Sequence, residues 1–211
     1  MAPNYAQQER AQLCDLFSEV GPDVPTLCEG WTTRDLAAHL IVREHRPDAA
    51  LGIIAAPFAR HSEKVRLEVA RRPWEDLVTT VRNGPPRWSP TSLGALDQAA
   101  NTMEFFVHHE DVRRGAGSAQ PRQLDEGFER RLWDLNRRAA KLMLRKAPAG
   151  VTLTLPNGGS VTPKSGSPQV EVIGPAGELA LFVYGRQASA QVECVGPADA
   201  VAAVMAASFG I

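Results

Sequence analysis

Apolar residues recur at helical spacing through the first two thirds of the chain and alternate with period two in the last. Leu13, Leu16, Phe17 and Val20 share one face of a predicted helix over residues 4–20. Gly21 to Gly30 reads as a loop by its glycines and prolines. Thr32 or Thr33 caps the next helix, with Asp35 three residues after Thr32 as a capping-box acid would be, and the helix runs to about Arg46. Pro47 then forces a break or a new helix start. Residues 48–72 are predicted helical with an interruption near Pro57, and Pro73 opens a helix to about Arg82. Residues 83–90, with three prolines, are predicted irregular. A long helix follows from about Leu93 to Arg114, stopped by Gly115 and Gly117, and another from Asp125 to about Lys146.

Beyond Gly150 the pattern changes. Val151 to Leu155 alternates and is β-branched, so it reads as a strand, followed by a hairpin turn at 156–159. Val161–Thr162 and Gln169–Ile173 extend a small sheet; Pro175–Tyr184 reads as a helix, Ala190–Val195 as a strand and Pro197–Ser208 as a terminal helix. The expected fold class is α+β: a helical domain over residues 1–148, then a small α+β domain over 149–211.

Composition narrows the function. The 211 residues are 44% hydrophobic and 22% charged, enough for an ordinary core without disulfides or metal clamps. A metal would therefore serve chemistry rather than fold maintenance. Net charge is -1, and the basic residues form only pairs (Arg71–Arg72, Arg113–Arg114, Arg137–Arg138), which read as solvated helix faces rather than a nucleic-acid footprint. Three widely spaced cysteines form no disulfide framework and point to a reducing cytoplasm; neither a secretory signal nor a membrane span is predicted. Cys14 and Cys28 read as ordinary buried thiols, and Trp31, Trp74, Trp88 and Trp133 as packing residues, with Trp88 a candidate pocket wall.

Candidate chemistry concentrates in Asn101–Asp111. Glu104 and His108 are four apart and stack on one helix face, a common way for one helix to present two metal ligands. They lie beside the apolar arc of Leu93, Leu96, Ala100, Met103 and Val107, on the same side as Asp97 and Asp111, while His109 projects nearly opposite. Acid and imidazole at the edge of a core stripe are costly to bury alone; a metal or a dense hydrogen-bond network resolves the cost. His39 is the best third ligand, because His45 sits near the Pro47 break and His61 reads as exposed. Two histidines and a carboxylate leave coordination positions open, as at a catalytic metal. The same Glu-x-x-x-His spacing also arises as a plain helix-surface pair.

These segments resemble a known family. LCEGWTTRDLAAHL (residues 27–40) is similar to the W-[ST]-x-x-[DE]-L-x-x-H-L helix, and EFFVHHED (residues 104–111) to the E-x-x-x-H-x-x-D helix, of the mycothiol-dependent maleylpyruvate isomerase superfamily, within the DinB-like metal-binding four-helix bundles. GPAGELALFVYGR (residues 174–186) resembles a helix of its second domain. The resemblance implies a DinB-like bundle whose His39, Glu104 and His108 bind a divalent metal, zinc first, with nickel or iron as alternatives. It implies a transferase or isomerase using a small thiol such as mycothiol and an electrophilic substrate. An arginine of the second domain acts in the isomerase, and Arg186 is the position matched here; a cation closing a helix C-terminus is the other reading. Asp111 either orients a ligand or pairs with Arg114. A non-catalytic metal-binding or small-molecule-sequestering protein is the alternative function, and a structural protein a third. Monomer and homodimer both stay open.

Overall fold

The computed structural model describes residues 3–54, 56–86, 94–115, 117 and 120–209. Trp88 and Leu93, and the side chains of Leu96, Asp97 and Ala100, lie outside them. The fold mixes helices with one four-stranded sheet, and the chain divides into two compact units, Met1–Ala119 and Gln120–Ile211.

The first unit holds α1 (Tyr5–Val20), α2 (Thr33–His45), α3 (Pro47–Ile54), α4 (Ala59–Ala70), α5 (Trp74–Asn83) and α6 (Gly94–Gly115). Pro47 starts α3 rather than merely ending α2, using the helix position where a missing N–H costs nothing. Leu13 and Phe17 of α1, Leu36 and Leu40 of α2, Leu77 and Val81 of α5, and Phe105 and Val112 of α6 share one buried core. A smaller cluster of Val42, Ala49 and Val65 joins α3 and α4 to α2. Inside this unit Arg10 reaches from α1 to Glu44 of α2, with Nη1 2.8 Å from Oε2 and 2.7 Å from the Val81 carbonyl. Its guanidinium also stacks 4.1 Å from the Phe105 ring centroid.

The α2 cap forms as expected. Asp35 Oδ2 accepts from the Thr32 backbone N–H at 3.0 Å and from its hydroxyl at 2.9 Å, while Oδ1 takes Arg66 at 2.5 Å. Burial works against the charge on Asp35, but these hydrogen bonds outweigh it and hold the carboxyl below its usual range. A depressed carboxylate adds stability above its unfolded pKa of about 3.9 and loses it as pH falls through the lower folded value. Asp35→Asn is expected to cost about 1 kcal/mol at neutral pH. The gap to wild type should close in thermal unfolding as the pH drops below about 4; a gap independent of pH would contradict the ionised cap.

Residues 21–32 form a tightly pinned hook. Gly21 and Gly30 take φ of 80° and 74°, and Pro25 bridges Thr32. Thr26 N–H and Oγ1 both donate to the Trp31 carbonyl at 3.0 Å, and Leu27 N–H donates to the Asp111 carbonyl of α6 at 3.0 Å. At the end of α6 the contact is closer still: a Cβ on Gly115 would stand 2.2 Å from the Pro25 carbonyl oxygen. Only glycine fits there.

The second unit contains α7 (Glu126–Met143), β1 (Gly150–Thr154), β2 (Ser160–Lys164), β3 (Gln169–Ile173), α8 (Ala176–Val183), β4 (Glu193–Val195) and α9 (Ala198–Ala206). Strand order is β2-β1-β3-β4; β1 and β3 run parallel with Val151 opposite Val170 and Leu153 opposite Val172, and the outer pairs are antiparallel. Their buried faces pack on Ala140, Leu144, Leu179, Phe182 and Val204. The α7 helix thus shares its core with the sheet, and the compact units divide at 119/120. The switch to period two near residue 148 marks where strands begin, not where one core gives way to the next. No helix among the described residues is long and apolar enough to cross a membrane.

Candidate metal centre

The two helices that carry the predicted ligands bring them together. Leu36, Ala37 and Leu40 anchor α2 in the core, which turns His39 toward α6; Phe105 and Val112 do the same for α6 and set Glu104 and His108 one turn apart, facing α2. Glu104 Oε1 lies 3.4 Å from His39 Nε2 and 3.3 Å from His108 Nε2, and the three donor atoms all fall within 4.8 Å of one another. These separations are long for N–H···O bonds, which centre near 2.9–3.0 Å. They equal the edge of a tetrahedron, about 3.3–3.4 Å, around an ion with bonds of about 2.0–2.1 Å. Two of the three donor separations thus match such a site, and two imidazoles with a carboxylate are a donor set suited to a divalent ion.

The other nitrogen of His108 is differently placed. Nδ1 stands 2.9 Å from Asp111 Oδ2, an ordinary hydrogen bond one turn further along α6. A carboxylate on Nδ1–H leaves the Nε2 lone pair aimed at the ligand position. Arg43, one turn beyond His39, places Nε 3.3 Å from Glu104 Oε1 and donates to Asn101 Oδ1 at 2.6 Å. The Trp31 ring packs on His39, centroids 5.2 Å apart, and the Arg66 guanidinium covers Trp31 at 4.8 Å.

Electrostatics follow from these contacts. Burial lowers the pKa of His39 and keeps that ring neutral. Burial opposes charge on His108 too, but hydrogen bonds to Asp111, Cys28 and Glu104 overcome it and lift the ring well above the usual imidazole range. Glu104 is likewise disfavoured by burial, yet His108, His39 and Arg43 hold it well below the usual carboxylate range.

The remaining histidines stay apart from the centre. His109 bonds Glu9 of α1 at 3.1 Å, and His61 is half exposed beside Asp48 at 3.1 Å. His45 has a buried Nε2 without a hydrogen-bond partner among the described residues. Arg186 lies in the second unit, where its Nη1 donates to the Tyr184 carbonyl at 2.5 Å just past the end of α8.

Two expectations need correcting. Cys28 is not simply a buried thiol: it is half-buried, and the 21–32 hook sets its Sγ 3.2 Å from Asp111 Oδ2. Nothing periodic marks a loop residue 83 positions from its partner. Nor are Arg113 and Arg114 a solvated pair. Arg114 is buried, and both clasp the buried carboxylate of Glu110, with Nη1 of Arg113 2.7 Å and Nε of Arg114 2.6 Å from its oxygens.

No protein-family model matches the chain, and comparison with curated proteins finds no match. Among solved structures the chain is similar to the crystal structure of the mycothiol-dependent maleylpyruvate isomerase, with a TM-score of 0.62 and 15% identity over 92% of this chain and 93% of that one. It is equally similar to a histidine-to-alanine mutant of that isomerase, with a TM-score of 0.63 and 14% identity over the same shares. At such identities the likeness establishes a common fold: the chain is a distant structural relative of a mycothiol-dependent isomerase.

Proposed function

We propose that this protein is a divalent-metal-dependent enzyme of thiol-transferase or isomerase type, with His39, Glu104 and His108 as the metal ligands. The observation that carries the reading is the pair of 3.3–3.4 Å separations from Glu104 Oε1 to two imidazole Nε2 atoms, with the second ring anchored through Nδ1. The first unit is, on the same reading, a DinB-like four-helix bundle in which α1, α2, α5 and α6 share the core.

A bound divalent ion would lower the pKa of a thiol so that it reacts as thiolate near neutral pH. The chain's own residues prepare for this. His39 presents a neutral nitrogen. Asp111 holds the proton on His108 Nδ1, and Arg43 holds Glu104 through Oε1. Two carboxylates, one guanidinium and a dication leave one positive charge uncompensated among these contacting groups. A monoanion satisfies it, which suits a thiolate. The structural neighbour is named for mycothiol, so mycothiol is the first thiol to try and zinc the first metal.

Elemental analysis of untagged protein tests the reading. Wild type is expected to hold about one divalent ion per chain, and His39→Ala, Glu104→Ala and His108→Ala to lose it. Loaded protein should then consume mycothiol or a relative with an electrophile. Wild type without metal after reconstitution with zinc, nickel and iron overturns the proposal. Loaded protein inert with every thiol and electrophile would instead make it a sequestering protein.

A further inference from the structure

We propose that Cys28 is a positioning residue for this centre: its S–H holds Asp111 Oδ2, and Asp111 in turn holds the His108 ring. The inference rests on the metal reading above. Asp111 is fully buried and, as a carboxylate, only accepts hydrogen bonds; its Oδ2 receives His108 Nδ1 at 2.9 Å and Cys28 Sγ at 3.2 Å. The thiol sulfur also lies within 4.8 Å of a His108 ring nitrogen. One oxygen thus joins the loop thiol to the ligand ring, and neither group can rotate without disturbing the other.

The hook is built to deliver that thiol. Cys28 N–H donates to Thr26 Oγ1 at 3.2 Å, the Cys28 carbonyl accepts from Trp31 N–H at 2.9 Å, and Leu27 N–H is tied to the Asp111 carbonyl. Backbone and side chain of Asp111 are therefore both gripped by consecutive residues of one loop. Trp31 closes the same turn and packs on His39, so the hook meets one histidine of the centre directly and the other through Asp111.

Cys28, His108 and Asp111 also form a group of potential donors within 4.8 Å, which raises the question whether Cys28 is itself a ligand. The distances argue against it. A separation of 2.9 Å between Nδ1 and Oδ2 is a hydrogen bond. Two ligand atoms at bonds of about 2.0–2.1 Å to one tetrahedral ion would stand about 3.3–3.4 Å apart, as the donors on the Nε2 side do.

The test measures zinc affinity, the cobalt(II) spectrum and metal-free unfolding for wild type, Cys28→Ala, Cys28→Ser and Asp111→Asn, with a phosphine reductant in place of thiols. Outer partners of metal ligands are worth roughly 10–100-fold in affinity, which is the loss expected for Asp111→Asn, and the weaker thiol donor one bond further out should cost about five- to tenfold in Cys28→Ala. Cys28→Ser keeps an O–H donor and is expected close to wild type. Metal-free Cys28→Ala should unfold like wild type, and cobalt-loaded wild type should lack a thiolate-to-cobalt charge-transfer band. Unchanged affinity in Cys28→Ala overturns the inference while leaving the metal reading standing. So does equal loss in the alanine and serine variants with a matching loss of metal-free stability, or a charge-transfer band that vanishes in Cys28→Ala, which would make Cys28 a ligand. If wild type binds none of zinc, cobalt, nickel and iron, the metal reading fails and takes this inference with it.

Discussion

Glu104→Gln is expected to weaken divalent-metal binding by on the order of 100-fold or more, given about 10–16 kcal/mol shared among the ligands of a structural zinc site. Glutamine keeps the shape and the acceptor oxygen that Arg43 and the two histidines face, so the helices need not move. What is lost is the charge, and with it the only anion that lies between the two imidazole Nε2 atoms among the described contacts. Competition with a chromophoric chelator measures the change, and circular dichroism should show the helices intact. The adjacent His109 supplies the control: it is buried against Glu9 on the α1 side, so His109→Gln should leave metal affinity unaltered. Wild-type affinity in Glu104→Gln would exclude this carboxylate as a ligand.

Arg10→Ala is expected to destabilise the first unit by about 3–5 kcal/mol, the usual consequence of removing one partner from a buried ion pair. Glu44 is 1% exposed and the Arg10 side chain 11%, so the carboxylate left behind cannot reach water without opening the packing of α1, α2 and α5. The loss also uncovers the face of Phe105, over which the guanidinium is stacked. Replacing both partners by apolar residues of similar volume, Arg10→Met with Glu44→Leu, should recover most of the stability, since no charge is then stranded. Urea denaturation of Arg10→Met, of Glu44→Leu and of the double variant gives the coupling directly. A cost below about 1 kcal/mol for Arg10→Ala would mean that the pair behaves like a surface ion pair.

Much of the helical unit was legible because its signals are local. The Thr32–Asp35 cap, the Pro47 start and the glycine at the end of α6 each sit within one turn of what they determine. Glu104 and His108 were legible for the same reason: four residues apart on a helix is a fixed geometry. His39 needed an argument about which helix face points inward, and the structure sets that face against α6. Cys28 was not legible, because its place depends on where an irregular loop lands and on a partner in a distant helix. The burial of Arg114 around Glu110 escaped for a related reason: charged pairs read as surface unless the packing beneath them is known. The parallel pairing of β1 with β3 is likewise invisible to alternation, which reports which face of a strand is buried but not which neighbour it chooses.

The close approach of Gly115 to Pro25 has a further consequence. Connecting segments are ordinarily where chains gain and lose residues most freely. Here the 21–32 connection is registered against the end of α6 with no room for a methyl group, and its residues reach the His39 ring and Asp111. Lengthening or shortening it by one residue would shift Cys28 and Trp31 together. For variation by insertion the β1–β2 turn is the freer place, since Gly158 there faces open space. An irregular stretch of backbone in the first unit thus has its length set by its own geometry, and the hairpin of the second is where the chain can be rewritten.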